Sequence, residues 1–207
     1  MRIPIAKDAY SILVFLIVIG AIASIWVPVG LWIGLGLALA VALFFRDPER
    51  KIEIDPSLVY APADGKITQI KDVEVNGTQM KQIVIFLSVF NCHINRIPCD
   101  GTVKSSLHLP GKFLAAYRKD IEEKNERQDT WLDTKEGPVR IIQITGAIAR
   151  RIVCRLRAGD RVKQGTRFGL IKFGSRTDLY LPAHAKLTVK VGQAVTGGKT
   201  VFARYES

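Results

Sequence analysis

Two hydrophobic patterns divide this chain, and they meet near Asp47. From Tyr10 to Phe45 no side chain is charged: YSILVFLIVIGAIASIWVPVGLWIGLGLALAVALFF. One helix over that run would extend ~54 Å at ~1.5 Å per residue, against a hydrocarbon core of ~30 Å, so it is too long for a single upright span. Pro28 falls near its middle between Val27 and Val29, and Gly30 follows. Proline has no N–H to donate and pushes the residue before it out of the helical region, so the run should break there. Two short helices are expected, over 10–27 and 29–45, folded back as a hairpin or a re-entrant pair in a membrane. Arg2 and Lys7 precede the run; Arg46, Arg50 and Lys51 follow it. Basic flanks stay on the cytoplasmic side, so both ends are expected there. A cleaved signal peptide fits poorly, because the apolar stretch far exceeds an h-region and no A-x-A-like site closes it.

Beyond Pro48 the apolar runs are short, several alternate with period two, and turn residues separate them: KITQI, QIVIFLSVF, VRIIQIT, GLIKF, DLYLP, LTVKV and TVFARY. They predict strands. The stretch 112–127, KFLAAYRKDIEEKNER, starts after Pro110 and Gly111 and predicts a helix or a long exposed excursion. The expected architecture is a mainly β domain (β-rich α+β) over 51–207, behind a helical membrane-anchoring segment over 1–50. A length of 207 residues suits one medium domain with such a segment.

Charge narrows the partners. The formal net charge of +11 points to something anionic. The excess is local: between Val139 and Thr177 stand ten Arg or Lys and one acid, Asp160. Alone, such a run is a solvated β surface. Beside a membrane segment the same face would meet anionic headgroups at roughly 1 kcal/mol per basic residue. Nucleic acid is not expected, since few aromatics interleave the basic residues for stacking and no nucleic-acid module accompanies them. Cys92, Cys99 and Cys154 are odd in number without CxxC spacing. That argues against a disulfide scaffold or structural zinc and for small buried residues in a reducing compartment.

Three places could carry chemistry. Phe173-Gly174-Ser175-Arg176 lies between two predicted strands. A Gly-Ser pair there is ordinarily a tight turn. It also suits an N→O acyl shift, in which the Ser175 hydroxyl attacks the Gly174 carbonyl and glycine leaves that carbonyl open. Such a shift needs a general base and donors for the oxyanion. Asp64, in APADGKI, is by itself a turn residue, and His93, after FLSVFNC, is by itself a structural hydrogen-bonder. Together they supply an acid, a base and a nucleophile, the logic of an activated serine.

These motifs follow one another in an order that resembles the short, compact form of phosphatidylserine decarboxylase proenzymes. FRDPER follows the apolar segment, then come APADGKI, FLSVFNCHINRIPCDGTV, PGKF, NERQ, GAIARRIV and AGDRVKQGTRFGLIKFGSRTDLYLP. The resemblance covers essentially the whole chain. Longer members often carry Leu-Gly-Ser-Thr at the processing site, and Phe-Gly-Ser-Arg fits the compact subgroup. Longer members also have an acid and a second histidine around the position of His93; here Asn91 and Arg96 stand there, and neither is assigned a proton-transfer role. The resemblance implies cleavage between Gly174 and Ser175 into chains 1–174 and 175–207, held together as a heterodimer. It implies His93 as base, Asp64 as its orienting or polarising partner, and conversion of Ser175 to a pyruvoyl group that takes the place of any metal or pyridoxal phosphate. It implies decarboxylation of phosphatidylserine to phosphatidylethanolamine through a Schiff base, with His93 as proton donor, on the cytoplasmic side of the cell membrane. Higher oligomers stay open. Three alternatives are weighed. One is a pyruvoyl decarboxylase of a soluble amino acid, which needs no anchor. Another is a pyruvoyl decarboxylase of another amino-acid-containing (archaeal-type) lipid. The third is a membrane-tethered lipoyl- or biotinyl-like module, suggested by Gly159 to Gly165 but lacking a lysine tip.

Overall fold

The computed structural model describes residues 4–114, 121–147, 151–172 and 175–206, and the chain forms two compact units, Met1–Glu49 and Arg50–Ser207. In the first, a 3-10 turn (Lys7–Ala9) leads into α1 (Tyr10–Ala23), and α2 (Gly30–Phe44) returns beside it. The two helices meet backbone to backbone. A Cβ on Gly34 would stand 2.7 Å from the Leu16 carbonyl oxygen and 2.8 Å from Gly20 Cα. Gly20, Gly34 and Ala38 are buried, whereas Val14, Phe15, Trp26 and Trp32 turn outward.

The helices are shorter than the apolar run suggests. Ser24 Oγ bonds the Ala21 carbonyl at 2.6 Å, a local side-chain bond that competes with helix continuation, and residues 24–29 form the turn around Pro28. With 14 and 15 residues, each helix is only about 21–23 Å long. No helix among the described residues is long and apolar enough to cross a membrane. The expected membrane segment is thus corrected to a pair of short apolar helices.

The second unit is built on strands. After β1 (Leu58–Tyr60), β2 (Gly65–Val75) and β3 (Thr78–Leu87) form a long hairpin. Its turn, Asn76 and Gly77, has φ of 51° and 77°, the left-handed pair a two-residue hairpin loop requires. β4 (Ile94–Arg96), β5 (Gly101–Leu109), α3 (Ile121–Lys124), β6 (Arg127–Thr134) and β7 (Gly137–Ile144) follow. Then come β8 (Arg151–Cys154), β9 (Arg161–Val162), β10 (Arg167–Lys172), β11 (Ser175–Pro182), β12 (Lys186–Leu187), β13 (Ala194–Val195) and β14 (Val201–Arg204). An eight-stranded antiparallel sheet runs β13-β2-β3-β11-β7-β6-β5-β9, and β4-β10-β8 and β1-β14-β12 form two three-stranded sheets.

β11 lies inside the large sheet and is buried along its whole length. Side chains alternate between faces of a strand. Leu179 and Leu181 join the main core with Ile83, Ile85 and Leu87 of β3 and Val139 and Ile141 of β7, and Ser175 and Thr177 share that inner parity. Arg176, Asp178 and Tyr180 have the opposite parity, and Tyr180 packs there with Ile121, Ile142 and Ile144.

Most expected strands are present: KITQI, QIVIFLSVF, VRIIQIT, GLIKF, DLYLP and TVFARY fall within or overlap β2, β3, β7, β10, β11 and β14. LTVKV contributes only Leu187, at the end of β12. The stretch 112–127 holds one four-residue helix among its described residues, and its last residue already opens β6. β5 and β6 were not expected: β5 is mostly exposed or half-buried, with only Val103 buried, and most buried positions of β6 are filled by polar residues that bond across strands. Gln128 Nε2 donates to Ser106 Oγ at 2.8 Å, and Arg140 Nε donates to Asp129 at 2.9 Å. No apolar periodicity marks such strands.

Gly65 marks the tightest point of the β2–β3 hairpin, where a Cβ would stand 2.3 Å from the Phe86 carbonyl oxygen and 2.8 Å from Ile85 Cγ2. Gly65→Ala is expected to destabilise the protein by about 1–3 kcal/mol, the range of overpacking. Urea denaturation followed by circular dichroism measures it.

Candidate active site

The two short strands behind β11 bring His93 and Ser175 to the same end of the fold. β10 runs antiparallel to β4 with Leu170 opposite Ile94, and the Ile171 amide donates to the His93 carbonyl at 3.3 Å. Ser175 follows four residues later as the first residue of β11. One step further in, Asn95 Nδ2 lies 3.4 Å from Thr177 Oγ1.

Ser175 is fully buried, and its Oγ has no hydrogen-bond partner among the described residues. Gly174, the expected partner in cleavage, lies outside the described residues. His93 is 2% exposed, and its Nδ1 lies 2.9 Å from the Asn91 carbonyl. A carbonyl only accepts, so Nδ1 carries a hydrogen and proton exchange falls to Nε2. Asn91 is itself held, its Oδ1 accepting from Ser88 N at 2.9 Å and Ser88 Oγ at 2.8 Å.

Asp64 has other partners. Its carboxylate receives both arms of Arg50, at 2.6 and 2.8 Å, and the Gly197 amide at 2.8 Å. Lys66 and Arg176 both oppose Phe86, so Asp64 lies across β3 from Ser175. The structure joins Asp64 to Arg50, and the imidazole Nδ1 meets the Asn91 carbonyl. Arg50, counted with the basic flank in the sequence, is a buried ion-pair residue with a side chain 5% exposed.

The outer face of β11 carries a second polar cluster. Arg176 Nε and Nη2 bond the Asp178 carboxylate at 2.6 and 2.5 Å. Gln82 Nε2 lies within hydrogen-bond distance of Asp178 (2.8 Å), Tyr180 (2.7 Å) and Glu122 (2.9 Å), and Tyr180 donates to Glu122. Burial pushes the Asp178 carboxyl up to about 6, against the hydrogen bond and charge of Arg176. Burial likewise raises the Tyr180 hydroxyl, helped by the charges of Asp178 and Glu122. Arg140 stacks over Trp131 and Tyr180 and pairs with Asp129.

Arg50, Asn95, Gln143 and Thr177 are site residues that the sequence reading did not single out. For Gln143 a signal exists: in VRIIQIT it shares the parity of Val139 and Ile141, so a polar side chain occupies a core position.

A family model described as phosphatidylserine decarboxylase matches residues 37–203. The chain belongs to the phosphatidylserine decarboxylase family. It is therefore a lyase of phospholipid biosynthesis that acts on phosphatidylserine, and Asp64, His93 and Ser175 all fall inside the matched region.

In this decarboxylase the Arg176–Asp178 pair is a stability element beside the site. Asp178→Ala leaves a buried guanidinium without its main partner, and urea unfolding is expected to show a loss of about 3–5 kcal/mol. The pH dependence has a definite sign. The folded pKa of about 6 exceeds the ordinary 3.8, so folding takes up a proton between those values. The associated stabilisation is full below the ordinary value and is lost as pH rises through about 6. Unfolding free energies from pH 4 to pH 7 should fall less steeply in Asp178→Asn than in the parent protein.

Proposed function

We propose that this phosphatidylserine decarboxylase works through a pyruvoyl group made from its own Ser175, after self-cleavage of the bond that joins Gly174 to Ser175. The observation that carries this reading is the buried, unpartnered Ser175 Oγ at the head of β11, in the same region as His93, whose Nδ1–H faces the Asn91 carbonyl. A buried hydroxyl without a partner is costly, and a reactive role is one reason for a fold to keep it. Leu87 opposes Ser175 in the ladder, and the inner face beyond is apolar, which fits a small ketone-bearing group shielded from water.

His93 Nε2 accepts the Ser175 hydroxyl proton while Oγ attacks the Gly174 carbonyl carbon. The C–N bond breaks, the nitrogen takes the proton, and an ester joins the two pieces. Removal of the residue-175 Cα proton then expels the Gly174 carboxylate and leaves dehydroalanine. Its hydrolysis releases ammonia and leaves the pyruvoyl end of chain 175–207. Such a group supplies a ketone that condenses with the substrate amine and draws off the electron pair released with carbon dioxide. His93 then returns a proton to the substrate carbon. Asp64 holds Arg50 against the Gly197 turn and supports the site electrostatically from across β3. The pairing of β11 with both β3 and β7 supports a heterodimer of chains 1–174 and 175–207.

The outward apolar side chains of α1 and α2 support placement at the cytoplasmic face of the cell membrane, dipping into the bilayer without crossing it. Exposed Arg151, Arg155, Arg157, Arg161 and Lys163 supply charge for anionic headgroups.

Ser175→Ala should give a single inactive chain on a denaturing gel; a preparation still split at this bond would refute the serine mechanism. His93→Ala should slow cleavage by roughly 10²–10⁴-fold. Asp64→Asn should slow it less, through loss of the Arg50 pair. Circular dichroism must report each variant folded. Membrane contact is tested with Trp131→Phe, which leaves only Trp26 and Trp32 to report. Their fluorescence should be quenched by spin-labelled lipid in anionic vesicles, and unquenched emission would remove the membrane placement.

A further inference from the structure

Gln143 lies opposite Thr177 in the ladder between β7 and β11, and it is 1% exposed. Its Nε2 donates to Asn95 Oδ1 at 2.7 Å. Asn95 is fully buried, and its Nδ2 reaches the Pro62 carbonyl at 3.5 Å and Thr177 Oγ1 at 3.4 Å. The sense of both amides follows from one fixed point. The Pro62 carbonyl can only accept, so Asn95 turns its nitrogen there and its oxygen toward Gln143. Gln143 must then offer nitrogen to Asn95, and its carbonyl Oε1 points elsewhere. That oxygen is buried and has no hydrogen-bond partner among the described residues. Ser175 Oγ, two residues before Thr177 on the same face, is in the same condition.

An unsatisfied buried acceptor costs about 1–3 kcal/mol, and here a relay of fixed amides holds it in place. The oxygen calls for a donor. In the serine headgroup of phosphatidylserine the carboxylate and the phosphodiester only accept; the amino group alone donates. The amine is also the group that must be brought to the residue-175 end. Gly169 packs beside the amide, where a Cβ would stand 3.1 Å from Gln143 Nε2 and 2.2 Å from the Val153 carbonyl oxygen. A side chain at that position would crowd the amide.

We infer that Gln143 is a substrate-contacting residue whose side-chain carbonyl takes the hydrogen bond of the substrate's amino group, with Asn95 as the positioning residue that sets the amide's sense. The inference rests on the pyruvoyl reading above. It separates recognition of the amine, by Gln143, from proton transfer, by His93.

The test compares Gln143→Met, which keeps the length and removes the acceptor, with Gln143→Glu, which keeps an acceptor. Three quantities are measured on the full chain. They are the yield of fragment 175–207 on a gel, decarboxylation of phosphatidylserine in mixed vesicles, and cyanoborohydride trapping of phosphatidylethanolamine on the small chain, read by intact mass. The Met variant should self-cleave like the parent, decarboxylate at least ~10-fold more slowly, and lose trapping in proportion, as one hydrogen bond to a charged donor implies. The Glu variant should exceed the Met variant by roughly fivefold or more in both assays. Parental decarboxylation and trapping in the Met variant would overturn the inference, since a buried water would then satisfy the oxygen. Equal loss in both variants with a lowered melting temperature would overturn it too, leaving Gln143 a purely structural role. Should the Met variant not fold, a folded, cleaved Glu variant that traps no amine overturns it alone. Failure of the pyruvoyl reading looks different: fragment 175–207 is then absent from the parent protein.

Discussion

Everything in the site depends on the double pairing of β11. It is hydrogen-bonded to β3 on one side and β7 on the other, and both its faces are covered. A strand held so has no freedom of register, because a slip of one residue would exchange its two faces. Ser175 and Thr177 would leave the inner side, and the charges of Arg176 and Asp178 would enter the main core. The Arg176–Asp178 pair and the Leu179–Leu181 contacts therefore fix the same alignment from opposite faces. The fixed register puts the Ser175 hydroxyl at the end of the fold that carries His93.

Polar groups inside this domain are connected in chains rather than scattered. On the inner side Gln143, Asn95 and Thr177 form one line, begun by a backbone carbonyl that cannot change role. On the outer side Gln82 gathers Asp178, Tyr180 and Glu122. The outer cluster neutralises its own charges. The inner one ends on an oxygen with no partner among the described residues, and that difference separates a structural network from one turned toward chemistry.

The strands with apolar alternation were legible in the sequence, and so were the break at Pro28 and the residues of the processing motif. β5 and β6 were not: β5 buries only Val103, and in β6 Gln128 and Asp129 are buried by partners on other strands, a pairing with no local signature. The helices came out shorter than the charge-free run because residues 24–29 form the turn around Pro28. The site was legible as an ordered set of motifs. What distributed Asp64 to Arg50, and gave the imidazole to Asn91, was the placing of loops 48–57 and 88–93, which no periodicity records. Arg50 looked like a topological flank because its partner lies fourteen positions away, beyond any helical or strand spacing.

The pairing of Arg176 with Phe86 spans ninety positions of sequence. A ribosome must have released nearly the whole domain before β11 can enter between β3 and β7, and β14 closes on β1 later still. Contacts so distant in sequence form late. On the proposed route the nucleophile thus meets its base only once β11 has paired with β3 and β7, so an unpaired chain is spared. On that route the sheet would serve as a clock, and the cut would report that its strands have paired.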